Sequence, residues 1–172
     1  MPRRKCVRRF RRTSMKNGVT NIIVAGLGGQ GVLRASSIVA DAAFRAGWDV
    51  KQSELHGMSQ RGGSVTSDVR FGREVFSPMV PAGEADFLVV VAPDQIEVNR
   101  HQLREGGILI APDAVAANKL TNKKSVNIAL LGVLSRHLEI SEERWLEAIQ
   151  AAFSEKLQAA NLQAFALGRN GA

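Results

Sequence analysis

Asn21-Ile22-Ile23-Val24-Ala25-Gly26-Leu27-Gly28-Gly29-Gln30-Gly31 is an apolar run that empties directly into a cluster of glycines. Ile22 to Ala25 shows no polar alternation, the pattern of a strand buried on both faces in a parallel sheet flanked by helices. Gly26, Gly28 and Gly31 then keep the G-x-G-x-x-G spacing. In that spacing one glycine permits a tight turn, one lets backbone approach a ligand, and one lets the next helix lie on the strand. A helix opening there presents unpaired N–H groups and the positive end of its dipole, which suit a phosphate. The same glycines would equally serve a close strand-to-helix turn that binds nothing, and the spacing alone does not choose.

Downstream of the turn, Val32, Ala35, Ser36, Val39 and Ala43, joined by Leu33, Ala40 and Phe44, place small and apolar residues at helical spacing, with Gly47 as the stop. Arg34, Asp41 and Arg45 fall elsewhere on the circumference as solvated or interface charges. Val32 and Leu33 stand where a P-loop needs Lys and Ser or Thr, so that route to nucleotide hydrolysis is closed. A second strand is expected from Trp48 to Ser53. In a dinucleotide-binding fold an acid about 20 positions beyond the glycines binds a ribose, and Glu54 is the candidate. Next to it, His56-Gly57-Met58-Ser59-Gln60-Arg61-Gly62-Gly63 follows neither hydrophobic period. An imidazole, an amide and a guanidinium flanked by glycines could form an ordered, ligand-responsive loop. A plain surface loop with a solvated arginine has the same composition, and both readings stand.

The remainder completes an α/β domain. Ser64 to Phe71 alternates Val65, Ser67, Val69 and Phe71 with polar neighbours, and Gly72-Arg73 is expected to turn it into Glu74 to Phe76 as a hairpin. Phe87 to Ala92 repeats the buried-strand pattern, and Pro93 is placed to start a helix running to about Arg104. Gly106-Gly107 precedes a short strand from Ile108 to Ala111. Val126 to Leu138 reads as a helix, and Ser141 caps another, with Glu142 and Glu143 at its start and Ile140 and Trp145 as a staple. Trp145, Leu146 and Ile149 read as core or partner-facing packing. A last helix, Glu155 to Leu167, is expected to stop at Gly168. The expected fold is α/β: a Rossmann-like three-layer domain with a mostly parallel sheet and an added hairpin.

Composition narrows the function. A chain of 172 residues with 45% hydrophobic content suits one domain that buries roughly 70% of its unfolded surface. Its apolar runs, around Phe87 to Ala92 and Ile128 to Leu134, fall short of the roughly 20 residues that span a bilayer, so a soluble protein is expected. The net charge of +7 is local: residues 1–14 take seven of the 23 basic residues and no acid, leaving 16 basic against 16 acidic. That arm could tether nucleic acid or membrane, target an organelle, or belong to no fold. Its single aromatic, Phe10, and lack of an amphipathic pattern favour the last. Met15 is then the better start of the functional chain, residues 15–172 form the domain, and the arm is expected to be disordered. Cys6 is the only thiol, so the chain can build neither a disulfide framework nor a thiolate cluster for iron–sulfur or zinc. His56, His101 and His137 are too scattered for a metal motif.

Gly26 to Gly31 with Gln30, the segment Glu54-Leu55-His56-Gly57-Met58-Ser59-Gln60-Arg61-Gly62-Gly63-Ser64-Val65, Ser77-Pro78, Gly83 to Asp86, and Gly106-Gly107 occur in that order. In this the chain resembles the gamma-type domain of the 2-oxoacid:ferredoxin oxidoreductases, most nearly the indolepyruvate branch, over essentially Met15 to Gly168. The glycine turn is shared with many nucleotide-binding folds, whereas its combination with His-Gly-Met-Ser-Gln-Arg-Gly-Gly is distinctive. Arg34, where the family leads one to expect an aliphatic residue, and the basic arm depart from the pattern.

The resemblance implies a subunit of a cytoplasmic complex that converts an arylpyruvate, coenzyme A and oxidised ferredoxin to an arylacetyl-CoA, carbon dioxide and reduced ferredoxin. It implies that thiamine diphosphate, magnesium and iron–sulfur clusters sit on a larger alpha subunit, and that this chain is inactive alone. Gly28, Gly29, Gln30 and Gly31 would offer N–H groups to a phosphate of coenzyme A, with Arg61 adding charge-assisted hydrogen bonds and His56 and Gln60 shaping the loop. Packing of that loop on the alpha subunit is the structural alternative. Two other classes stay open: a nicotinamide-dependent dehydrogenase using Glu54 on the ribose, and a nucleic-acid module resting on the arm.

Overall fold

The opening run forms β1 (Val19–Leu27), in which Thr20 to Gly26 are all buried. The computed structural model describes residues 18–56, 62–115, 120 and 122–171, with His56 and Lys123 described through their backbone alone, and the basic arm lies outside this set. After the glycine turn come α1 (Val32–Arg45), β2 (Asp49–His56), β3 (Ser64–Gly72) and β4 (Ala85–Val90). A broken helical stretch at residues 93–102, containing the short α2 (Ile96–Asn99), leads into β5 (Leu103–Ile110). The chain closes with α3 (Val126–Ser135), α4 (Glu142–Ala152) and α5 (Glu155–Asn170).

The strands make one sheet in the order β2-β3-β1-β4-β5. β1 runs parallel to β4 and β4 to β5, while β3 is antiparallel to both β1 and β2. Every strand but β3 therefore points the same way, and the sheet is mostly parallel as expected. The uninterrupted apolar character of β1 and β4 has a direct cause. Ile22, Val24, Phe87 and Val89 face a large core shared with α1, α3, α4 and α5. Ile23, Ala25, Leu88 and Val90 face a smaller core on the other side of the sheet, closed by Val80 and Ile96. With both faces covered, neither register of the strand can be polar. Trp145 belongs to the large core: it is fully buried and stacks on Phe165 with ring centroids 5.8 Å apart.

Four expectations are corrected. The hairpin consists of β2 and β3, joined through residues 57–63, and no strand forms at Glu74 to Phe76. The backbone there is claimed by side chains of the sheet. Asp49 accepts the Val75 N–H at 2.8 Å, Asp68 accepts the Val80 N–H at 2.9 Å, and Arg70 donates to the carbonyls of Ser77 and Met79. Burial pushes the Asp68 carboxyl above the usual carboxylate range, against the opposing pull of the Val80 N–H and Arg70. The helix expected to reach about Arg104 ends earlier, because Arg104 lies in β5, where its Nε donates to buried Asp86 at 2.6 Å. Gly106 and Gly107 sit inside β5 rather than before it, at a register shift where Gly106 takes a φ of +72°, as a bulge allows.

Gly168 is no stop, since α5 runs through it to Asn170. A Cβ on Gly168 would strike the Ala129 carbonyl, and one on Gly132 the Phe165 carbonyl. The two glycines thus let α3 and α5 cross backbone to backbone. Ser141 does occupy the N-cap position of α4, but its side chain makes no capping bond. Its carbonyl accepts the N–H groups of Arg144 and Trp145 instead.

Candidate functional site

The glycine turn is closed by its own glutamine. Gln30 Oε1 accepts the Leu27 N–H at 2.8 Å, and the Gln30 N–H donates to the Leu27 carbonyl at 3.2 Å. Gly26 is where the helix rests on the strand, since a Cβ there would lie 2.9 Å from Val32 Cγ2 and 3.0 Å from Gln30 Oε1. Gly29 has a φ of +88° with open space beside its Cα, and Gly31, the N-cap of α1, has a φ of +76°. Both conformations favour glycine.

An account of the N–H groups narrows the phosphate expectation. The Gly28 N–H donates to the Gly63 carbonyl at 3.0 Å, so neither it nor that of Gln30 is directed at a ligand. Both bonds hold the turn itself. The first i→i−4 bond of α1 is Ala35 N–H to Gly31 O at 3.0 Å. The N–H groups of Val32, Leu33 and Arg34 precede it and have no acceptor in the helix. The N–H groups left outside these bonds are those of Gly29, Gly31 and the first turn of α1.

The structure brings the two unusual sequence segments together. Besides the Gly28–Gly63 bond, an added Cβ on Gly28 would stand 3.6 Å from the Gly62 nitrogen, and Leu27 pairs with Ser64 in the β1–β3 ladder. The end of the second segment is thus laid against the bend of the first. Gln60, Arg61 and the side chain of His56 lie outside the described residues. Glu54 is exposed on β2, opposite Ser67 of β3. With β3 inserted, Glu54 stands two strand spacings from β1, about 10 Å in the sheet plane. The adjacent parallel strand that carries the ribose acid of a dinucleotide fold is absent from that place.

From the turn, an open cleft of about 800 Å³ extends along α1 to the C-terminal end of α4, with Gly29, Gly31, Leu33, Arg34 and Ala152 in its wall. Arg34 is exposed, in keeping with the solvated or interface charge expected there, and it also touches the end of α4. Its Nη1 donates to the Ala152 carbonyl at 3.3 Å, and its guanidinium lies 5.1 Å from the centre of the Phe153 ring. Asp41, in the same wall, accepts from Arg45 at 2.8 Å. On the inner side of the turn, buried Asn127 at the start of α3 donates through Nδ2 to the Gly31 carbonyl at 3.2 Å. Sequence reading passed over Asn127, which has no motif and stands 96 residues away. For Arg34 a signal existed, a cation in the first turn of a helix where an anion would be favoured. Among the described residues no group of three or more His, Cys, Asp and Glu side chains could hold a metal ion.

Comparison with known proteins adds an independent line. The sequence model of the family described as "Pyruvate ferredoxin/flavodoxin oxidoreductase" matches residues 21–171. The chain is 34% identical to indolepyruvate oxidoreductase subunit IorB of Thermococcus kodakarensis, over 86% of this chain and 93% of that protein. It is 32% identical to the IorB of Pyrococcus horikoshii with the same coverage. In structure it is similar to the gamma subunit of a keto/oxoacid ferredoxin oxidoreductase from Geobacter sulfurreducens, with a TM-score of 0.76 at 23% identity, covering 90% of this chain and 96% of that one. It is also similar to part of the 2-oxoglutarate:ferredoxin oxidoreductase of Magnetococcus marinus, whose structure holds 2-oxoglutarate, coenzyme A and succinyl-CoA. That TM-score is 0.75 at 24% identity, over 90% of this chain and 31% of that chain.

Proposed function

The chain belongs to the pyruvate ferredoxin/flavodoxin oxidoreductase family, as an accessory subunit of a 2-oxoacid oxidoreductase, and from that premise we propose that it completes the coenzyme A site of an indolepyruvate:ferredoxin oxidoreductase. The complex turns an arylpyruvate, coenzyme A and oxidised ferredoxin into an arylacetyl-CoA, carbon dioxide and reduced ferredoxin. The observation that supports this reading is the meeting of Gly62 and Gly63, the described end of the second segment, with Gly28 of the turn.

In this reading Gly29, Gly31 and the first turn of α1 receive a phosphate of coenzyme A. Arg61, bonded directly to Gly62, supplies a guanidinium to that phosphate or to the substrate carboxylate, while His56 and Gln60 shape the loop. Gly26, Gly28 and Gln30 hold the turn, and Gly62 and Gly63 hold the loop end, with Glu54 at its entry. The cleft running on past Arg34 leaves room for the uncharged arm of the ligand. Thiamine diphosphate and its magnesium supply the chemistry on the 2-oxo acid, and iron–sulfur clusters carry the electrons to ferredoxin. One cysteine cannot ligate an iron–sulfur cluster, and in this reading the clusters and the thiamine diphosphate belong to a larger alpha subunit in a cytoplasmic complex.

The test uses the complex assembled from purified subunits. Arg61→Ala is expected to raise the KM for coenzyme A by about tenfold, the loss of one charge-assisted hydrogen bond. Gly29→Asp, which sets a carboxylate at the open bend, is expected to raise it further, while Gly29→Asn controls for backbone strain. An unchanged coenzyme A dependence in both Arg61→Ala and Gly29→Asp would show that the loop and turn merely pack against the alpha subunit.

A further inference from the structure

No sequence motif flags Asn127, yet it bonds to the peptide at the entrance to α1. It is 6% exposed, and its carboxamide is fixed at both ends. Nδ2 donates to the Gly31 carbonyl at 3.2 Å, and Oδ1 accepts the Ile128 N–H in the first turn of α3 at 2.9 Å. The Gly31 carbonyl also accepts the Ala35 N–H at 3.0 Å, so both of its lone pairs are engaged. A trans peptide holds its C=O and N–H in opposite directions. Tying down the Gly31 oxygen on the inner side therefore turns the Val32 N–H outward, in the same bend as Gly29. A side chain on Gly31 would break this, since its Cβ would fall 2.5 Å from Asn127 Nδ2.

We propose that Asn127 is a positioning residue for coenzyme A: it acts through Gly31 to aim the Val32 N–H at the phosphate. The proposal rests on the reading of the turn as a phosphate seat. The Ala35 N–H already sets this peptide donor-outward, the arrangement that suits an anion, and the Asn127 carboxamide anchors the same oxygen a second time from a distant helix. That second anchor stiffens the frayed end of α1 before the ligand arrives, which lowers the cost of binding.

The experiment measures coenzyme A dissociation by calorimetry, and KM for coenzyme A and for the 2-oxo acid, in the assembled complex. Asn127→Asp replaces the donor with an oxygen facing the Gly31 carbonyl, and Asn127→Ser shortens the reach without adding charge. Leu131→Ala, a buried change on the same helix, serves as a control for lost stability. Asn127→Asp is expected to weaken coenzyme A binding by about tenfold or more and Asn127→Ser by several-fold, with the KM for the 2-oxo acid unchanged. Leu131→Ala is expected to lower Tm while leaving coenzyme A binding as it was. Should Asn127→Asp fail to assemble, Asn127→Ser decides alone. Wild-type coenzyme A binding in the Asn127 variants, or a loss matched by Leu131→Ala, would overturn the proposal. If Gly29→Asp weakens binding while the Asn127 variants do not, only this inference fails. If Gly29→Asp also binds normally, the phosphate seat itself is wrong.

Discussion

Single side chains show how strongly context decides what a residue does here. Gln30 carries the look of a ligand-binding amide, yet its carbonyl oxygen is folded back onto the Leu27 N–H, so it builds the bend. Arg34 stays exposed, as a solvated or interface charge should, while its guanidinium lies over Phe153 and ties α1 to the end of α4. His137 offers a test by pH. Burial, followed by the nearby Arg136 charge, holds its imidazole below the usual histidine value, and its ring packs 5.9 Å from that of Phe87. A group whose pKa is lower folded than unfolded contributes stability above the unfolded value, about 6.5, and that contribution is lost as pH falls through the folded value. Thermal melts of the wild type should therefore lose Tm on acidification below about 6.5 more steeply than melts of His137→Gln. Parallel pH profiles for the two would remove His137 as the cause.

Among the elements, the packing of α3 on α5 is the sharpest constraint. Gly132 and Gly168 meet each other's helices where even a methyl group would strike backbone carbonyl oxygen. Backbone cannot yield as a side-chain tip can, so Gly168→Ala is expected to destabilise the chain by about 3 kcal/mol despite its better helix propensity. Denaturant melts will check the sign. A stabilised Gly168→Ala would mean that the helices part without cost. The same element shows why a glycine near a helix end was read from sequence as a stop: the local chemistry of a C-cap and of a close crossing is identical, and only the neighbouring helix distinguishes them. In the strap from Arg73 to Glu84 the reverse occurred. Turn residues at Gly72-Arg73 suggest a hairpin, but Asp68 and Arg70 of the preceding β3 and Asp49 of β2 claim its backbone groups.

Over the whole molecule, one sheet with cover on both faces presents the end of β1, the start of α1 and the start of β3 at a single edge. In the proposed complex this end of the sheet faces the partner subunit. We expect the purified chain to show no coenzyme A-dependent ferredoxin reduction, and activity to appear only with a larger thiamine-containing subunit co-purified from the native cell. Turnover by the isolated chain would refute the accessory role.

The sequence by itself determined the buried strands and the glycine turn, because these are written in local period and in residues that tolerate positive φ. Its two distinctive segments were also enough to carry the family resemblance. Tertiary structure alone decided that those segments touch, that the Gly28 N–H is taken by the Gly63 carbonyl, and that Asn127 braces Gly31. Each of those depends on which distant donor or acceptor reaches a backbone group first. Hydrogen bonds between residues as far apart as Gly31 and Asn127 follow from how helices are stacked on the sheet, and no local pattern records that.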